Sequence, residues 1–423
     1  MATLVSDGLP VYRDAMTTLT FDSLNPATGE IVGSHPRHTP DAVHEAVGRA
    51  EQAAAWWAAL GPAERRRRLL DYKAVITQNL RELAELVGEE TGKPFGDAAL
   101  EIVLAISHLD WAARNAARVL GRRRVSPGMI GLNLAATLEY LPLGVVAVIG
   151  PWNYPVFTPM GSIAYALAAG NAVVFKPSEL TPGIGVRLAE LFKESVPEQP
   201  VFQTVTGLGE TGAALAADPR VRKVAFTGST ATAKRVMAAC AENLTPIVAE
   251  CGGKDAFIVD ADADLKAAAD ACLWGAMSNA GQTCTGVERV YVVDAVYETF
   301  MRELSERVAK VKAGEDYGPI TMPGQVDIIK RHIDDATKSG RVVTGGPGSV
   351  RAPYVDPVIV EDVPEDSPRC VRRRSGRPSP SGARATRRRR WSWPTPRRTG
   401  WAARSSPATR AGRQNWPARC VPG

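Results

Sequence analysis

Apolar residues recur at helical spacing through the first third of the chain, which predicts helices over Pro40–Leu60, Pro62–Thr91 and Ala98–Leu120. Gly92-Lys93-Pro94 supplies the stop for the second of them. Leu132–Leu141 has strand character and is expected to form half of a protruding hairpin. The rhythm then changes to short apolar runs at Val145–Ile149, Ala172–Phe175, Val201–Val205, Lys223–Phe226, Pro246–Ala249 and Ala256–Val259. Helical stretches occupy the intervals at Thr181–Ser195, Glu210–Ala217 and Thr230–Glu242. Brief buried strands alternating with helices imply βαβ units and a parallel sheet covered on both faces. Beyond Asp260, a helix over Ala263–Ala280, a strand over Arg289–Val293 and a helix over Tyr297–Lys312 predict a second α/β unit. No internal repeat is visible.

Composition adds limits to this picture. The 423 residues are 45% apolar and 23% charged, ordinary values for a globular chain with room for two or three cores. No apolar run approaches the roughly 20 residues that span a bilayer, and Met1–Arg13 lacks the features of a signal peptide. The expectation is a soluble, cytoplasmic protein without a membrane partner. The six cysteines form no CxxC pair and show no histidine spacing suited to zinc, so free thiols are expected and no metal centre. Net charge is +6, but residues 369–423 carry 16 Arg and no Lys, Asp or Glu, leaving 35 basic and 45 acidic residues before them. The body is therefore acidic, and the basic character belongs to the tail.

The most specific constellation is Ser278-Asn279-Ala280-Gly281-Gln282-Thr283-Cys284-Thr285. A cysteine after a Gly-Gln turn can present its sulfur at a cleft, where a lowered thiol pKa supplies a thiolate nucleophile. Taken alone, Cys284 reads better as a small buried hydrophobe. Glu250, at the end of an apolar strand and followed by Gly252-Gly253, suits a general base if burial raises its pKa. The alternative is a solvated loop charge, and the paired glycines argue against that because they allow a ligand close to the backbone. Asn153 in Pro151-Trp152-Asn153-Tyr154-Pro155 offers an amide to a developing oxyanion, or is a turn residue between prolines. Lys176 and Glu179, in Lys176-Pro177-Ser178-Glu179, stand where an open α/β sheet meets a ribose. Phe226-Thr227-Gly228-Ser229-Thr230 opens a helix whose free N–H groups suit a pyrophosphate. Neither nucleotide segment matches the Gly-x-Gly-x-x-Gly pattern.

Together these segments resemble one family. PWN at 151–153, KPSE at 176–179, FTGST at 226–230, ECGGK at 250–254 and GQTC at 281–284 stand in the order and spacing of the NAD(P)-dependent aldehyde dehydrogenases. Asn25–Glu30 is also similar to that family's N-terminal region, and the resemblance runs from about Phe21 to Ser367. It implies an α/β fold with a Rossmann-type parallel sheet domain and a second, here incomplete, α/β catalytic domain. Residues 1–131 would be the helical part of the cofactor domain, 132–142 an oligomerisation hairpin, 143–252 the NAD-binding core and 253–367 the truncated catalytic domain. Cys284 would be the nucleophile, Asn153 with the Cys284 N–H the oxyanion hole, and Glu250 the base for deacylation. Trp152, Lys176, Glu179, Phe226, Gly228 and Ser229 would line the cofactor site. A carboxylate at Glu179 repels a 2′-phosphate, so NAD is expected over NADP, which stays possible. The resemblance further implies a small aldehyde substrate and a homodimer or homotetramer. Two departures stand out: Ala233 where the family often has Gly, and Cys251 where it usually has Leu.

The resemblance stops where the family carries Glu-Glu-Thr-Phe-Gly-Pro, whose second Glu and Phe hold the nicotinamide and its ribose. This chain has Arg372-Arg373-Arg374-Ser375-Gly376-Arg377, which is what that phrase becomes when read one nucleotide late. The same shift turns Ala-Val-Glu-Leu-Ala-Asn into Arg390–Thr395 and Tyr-Gly-Leu-Gly-Ser-Ser into Thr399–Arg404. Residues 368–423 hold no Ile, Leu, Phe, Met or Tyr, so they cannot build a core and are expected to be disordered. The tail is therefore read as a one-nucleotide frameshift near codon 370, and no nucleic-acid partner is expected; the alternatives are an inactive remnant that at most binds nucleotide and, ranked well below the frameshift, an arginine-rich arm that binds nucleic acid through phosphates and stacked Trp. Resequencing the gene is expected to reveal Glu-Glu-Thr-Phe-Gly-Pro in the neighbouring frame near codon 370; its absence there would remove the frameshift reading.

Overall fold

The computed structural model describes residues 19–131, 133–364 and 385–388. A hairpin opens it, β1 (Thr20–Leu24) antiparallel to β2 (Ile31–Pro36). Helix α1 (Pro40–Ala59) follows, its start fixed by Thr39, whose hydroxyl accepts the Ala42 N–H at 3.3 Å. The single helix expected over Pro62–Thr91 is two, α2 (Gly61–Gln78) and α3 (Leu80–Thr91). Asn79 breaks it: its backbone leaves the helical region, and its side-chain amide donates to the Val75 carbonyl at 2.9 Å. Helix α4 (Phe95–Leu120) completes the helical layer. The hairpin is present but small, β3 (Arg123–Val125) pairing with β4 (Ala136–Leu138), and Met129 and Ile130 at its tip are exposed.

The alternating segment builds β5 (Val145–Ile149), α5 (Phe157–Ala168), β6 (Ala172–Lys176), α6 (Pro182–Ser195), β7 (Phe202–Thr204), α7 (Gly209–Ala217), β8 (Val221–Gly228), α8 (Thr230–Glu242) and β9 (Ile247–Cys251). The five strands are all parallel, in the order β7-β6-β5-β8-β9. Every residue of β5 and β6 is buried, which is why both read as continuous apolar runs. The order turns outward in both directions from β5, so the β5–β8 boundary is the switch point beyond which α/β sheets bind ligands. Buried polar tips anchor the helical layer: Trp57 Nε1 donates to the Leu167 carbonyl at 2.8 Å and the Tyr72 hydroxyl to that of Leu188 at 3.0 Å. Phe192 packs edge-to-face with both rings.

A second core gathers around Phe300, Leu304, Val290 and Ile329. Its elements are β10 (Asp255–Val259), α9 (Leu265–Met277), β11 (Val287–Val293), α10 (Tyr297–Val308), α11 (Pro323–Ser339) and β12 (Arg341–Thr344). Short strands β13 (Val350–Arg351), β14 (Tyr354–Val355) and β15 (Ile359–Glu361) complete it up to residue 364. The run Ala256–Val259 thus joins this sheet, beside β11, and not the first one. In the tail, Ala385–Arg388 forms β16, parallel to β11. That corrects the expectation of a tail without regular structure for these four residues; the rest of the tail lies outside the described residues. An open strand edge offers unpaired N–H and C=O groups to any extended segment, and such pairing asks for no apolar side chain. Among the described residues, no helix is long and apolar enough to cross a membrane.

The two cores are clamped where residues 91–93 meet 318–321. A Cβ on Gly318 would lie 2.0 Å from the Gly92 carbonyl oxygen, whereas one on Gly324, in the first turn of α11, would meet nothing within 4 Å. Gly318→Ala is therefore expected to destabilise by roughly 2 kcal/mol or more, and Gly324→Ala to change stability by less than about 1 kcal/mol in the favourable direction. Thermal and denaturant unfolding of the two variants would check this; equal midpoints would refute the clamp.

Candidate active site

A cleft of about 830 Å³ opens beyond the carboxyl ends of the central strands and is bounded on its far side by residues 283–285 and 288. Its volume is typical of a site for a small ligand or cofactor. Trp152, Asn153, Lys176, Glu179, Phe226, Gly228, Ser229, Glu250 and Cys284 all line it. The fold therefore brings together every candidate residue named from the sequence.

The cysteine loop is held in an unfavourable conformation. After α9, Asn279, Ala280 and Gly281 take φ values of 53°, 55° and 72°, in the left-handed region. Asparagine and glycine tolerate that region, but alanine pays about 1 kcal/mol or more. Hydrogen bonds over-determine the turn. Gln282, 1% exposed, donates through Nε2 to the Asn279 carbonyl at 3.0 Å and the Pro319 carbonyl at 3.2 Å, and its Oε1 accepts the Thr321 N–H at 2.8 Å. Asn279 Nδ2 donates to the Asn153 carbonyl at 2.9 Å, and Asn153 Nδ2 to the Gln282 carbonyl at 2.8 Å. The Tyr154 hydroxyl lies 3.0 Å from Thr283 Oγ1, and the Gly253 N–H donates to the Cys284 carbonyl at 3.2 Å. The outcome is an exposed Cys284 on a rigid support. Asn153 has one amide hydrogen committed to Gln282, which leaves the second for the cleft.

The electrostatics differ from the sequence expectation in two places. Although the residue reaches solvent, the protein packed around its sulfur pushes the Cys284 thiol up from its ordinary value; its own N–H and that of Thr285 pull it back, while Asp255 and Glu250 add to the rise. A lowered thiol was expected; the structure gives the opposite direction, first because the surrounding protein removes water from the sulfur and second because the negative charges of Asp255 and Glu250 add to the rise. Burial, the condition that would have favoured Glu250 as a base, is not met: Glu250 is exposed on β9 beside exposed Val248 and Ala249. Burial raises the Tyr154 phenol to about 12, so it stays protonated as a hydrogen-bond partner of Thr283. Burial lowers the Lys176 amine, with Glu179 and Glu210 opposing.

The other end of the cleft fits a nucleotide. Ser229 caps α8, its hydroxyl accepting the Thr232 N–H at 3.0 Å, and the remaining first-turn N–H groups are free to meet an anion. A Cβ at Gly228 would strike the Phe226 ring at 2.7 Å, so the strand end is open because no side chain fits there. Lys176 is buried, donates to the Pro177 carbonyl at 2.9 Å and lies 4.0 Å from Glu179, whose side chain is half exposed. His108 and Phe157 also line the cleft, with ring centroids 5.1 Å apart. Neither was singled out from the sequence, since α4 and α5 meet only in the folded chain. Among the described residues there is no group of His, Cys, Asp or Glu arranged to hold a metal ion.

A parallel sheet with a cleft at its switch point defines the class, an α/β fold of the kind that binds ligands beyond the carboxyl ends of its strands. The chain belongs to the Aldehyde dehydrogenase family, whose sequence model matches residues 12–372. It is 38% identical over 365 residues to a glutarate-semialdehyde dehydrogenase of Pseudomonas aeruginosa, covering 84% of this chain and 75% of that one. Among solved structures, an E. coli NADP-dependent enzyme superposes with a TM-score of 0.83 at 32% identity, covering 88% of this chain and 78% of the other. An NAD-dependent benzaldehyde dehydrogenase from Corynebacterium glutamicum gives 0.80 at 29%, covering 88% and 81%.

Because the reactive species is the thiolate, a raised thiol reacts late in a pH titration. Alkylation of Cys284 by iodoacetamide, followed by peptide mass spectrometry, is expected to keep accelerating above the value of about 8.5 for a free cysteine. A rate that levels off below that pH would contradict the electrostatics described.

Proposed function

We propose that the protein oxidises an aldehyde to its carboxylic acid, with NAD as the hydride acceptor and Cys284 as the nucleophile. The observation that carries this is the tie of Asn153 and Cys284 through Gln282, which aims an amide N–H and a sulfur into one cleft. The Cys284 thiolate attacks the carbonyl carbon, and the oxygen takes up the negative charge of a thiohemiacetal. Asn153 Nδ2 and the Cys284 N–H receive that charge as preorganised donors. Gly228, Ser229 and the start of α8 would hold the pyrophosphate of a nicotinamide dinucleotide, which would supply the hydride acceptor needed to oxidise the thiohemiacetal to a thioester. Glu250, exposed to solvent, takes a proton from the water that attacks the thioester, and the acid leaves as the thiolate is restored.

Trp152, Lys176, Glu179, Phe226, Gly228 and Ser229 hold the cofactor in this reading. The Glu179 carboxylate favours NAD, with NADP as the alternative. Relatives acting on glutarate semialdehyde and benzaldehyde bracket the substrates to try, one carrying a distal carboxylate and one an aromatic ring. The reading also places the protein in the cytoplasm, as a homo-oligomer acting on small molecules.

The purified chain, given NAD and a panel of succinate semialdehyde, glutarate semialdehyde and benzaldehyde, is expected to form NADH with at least one of them. Cys284→Ala should abolish it, and Asn153→Ala should slow it roughly 100-fold. Silence with every aldehyde, while Cys284 still alkylates, would favour an inactive remnant.

A further inference from the structure

Lys93 and Glu101 form a buried ion pair that the reaction as written does not use. Lys93 Nζ lies 2.5 Å from Glu101 Oε2, with the two side chains 1% and 0% exposed. A pair so enclosed contributes little net stability compared with apolar residues of the same size, so stability alone does not account for it. Its other contacts converge on a single loop. Lys93 Nζ also donates to the Asn153 carbonyl at 2.9 Å and lies 4.4 Å from the centroid of the Tyr154 ring. Glu101 Oε1 accepts the Val156 N–H at 2.8 Å and the Phe157 N–H at 3.1 Å, supplying the anion that the uncapped start of α5 lacks.

We infer that Lys93 and Glu101 are positioning residues, which set the angle at which Asn153 presents its side-chain amide to the oxyanion beside Cys284. The Asn153 carbonyl receives two donors, Lys93 Nζ from one side and Asn279 Nδ2 from the other. Those two bonds fix the peptide plane from which the Asn153 side chain departs. Tyr154 carries the same constraint to Thr283, the neighbour of Cys284. Without Lys93, Asn153 keeps its bond to Gln282 but loses one of the two anchors of its backbone. An oxyanion donor is sensitive to such a loss, because its effect depends on being in place before charge develops.

The inference rests on the oxyanion role proposed for Asn153, and two reactions of one sulfur separate them. Acylation by p-nitrophenyl acetate forms the S–C bond through a tetrahedral oxyanion and expels p-nitrophenolate, whereas alkylation by iodoacetamide displaces iodide with no oxyanion; neither needs the cofactor. Lys93→Met alone strands a buried carboxylate, so the informative variant is Lys93→Met with Glu101→Gln, in which the Gln carbonyl still accepts the two N–H groups at the start of α5. Acylation of Cys284 in the full chain is expected to fall about tenfold or more in the double variant, and about 100-fold in Asn153→Ala, with alkylation within twofold of the original in both. Unchanged acylation in the double variant, beside a loss in Asn153→Ala, would overturn the positioning role alone. A parallel fall in both reactions would also overturn it, since general loosening of the structure predicts that. Unchanged acylation in Asn153→Ala would remove the oxyanion reading and this inference with it.

Discussion

The site depends on one buried side-chain amide. Gln282 sits inside the protein with both ends of its amide bonded, to Asn279 and Pro319 through nitrogen and to Thr321 through oxygen. A buried amide left unpaired costs about 1–3 kcal/mol per group, so these partners hold one another in register. The main-chain carbonyl of Gln282 in turn accepts Asn153. One residue thereby joins the loop after β5, the cysteine loop and the segment before α11. The left-handed turn at Asn279 and Ala280 persists because this network outweighs its local cost.

That rigidity sits beside looser surroundings. Val248 is 43% exposed and Ile258 and Trp274 are 69% exposed, all on or beside the strands and helix that lead to the loops lining the cleft. Apolar surface of this kind favours association. The same openness leaves Glu250 in solvent. Desolvation of the Cys284 sulfur disfavours its thiolate, and the negative charges of Asp255 and Glu250 add to that. Reactivity there rests on the backbone N–H groups of Cys284 and Thr285, the favourable influences on its charged form.

The parts of this arrangement readable in the sequence are those with local causes. β5 and β6 are buried along their whole length and so appear as unbroken apolar runs. The glycine pair at 252–253, read as marking close approach, divides: a Cβ on Gly253 would lie 2.8 Å from Asp255 Oδ1, whereas one on Gly252 would meet nothing within 4 Å. Long-range pairings were not readable. Lys93, between Gly92 and Pro94, looks like a helix stop, and its partner Glu101 lies on the next helix. Gln282 looks like loop polarity, because Thr321 is 39 residues away. The break at Asn79 hides because a side-chain bond to Val75, and not a loss of periodicity, ends the helix. The direction of the Cys284 shift was unreadable for a related reason: it follows from burial and from charges that only the fold brings near.

Hydrogen exchange of Gln282→Met against the original chain tests most directly whether this one amide organises the site. Protection is predicted to fall together in residues 278–284 and at Thr321, while the strands β5, β6 and β8 keep theirs. Unchanged protection in both segments, or an even loss across the whole molecule, would contradict the account.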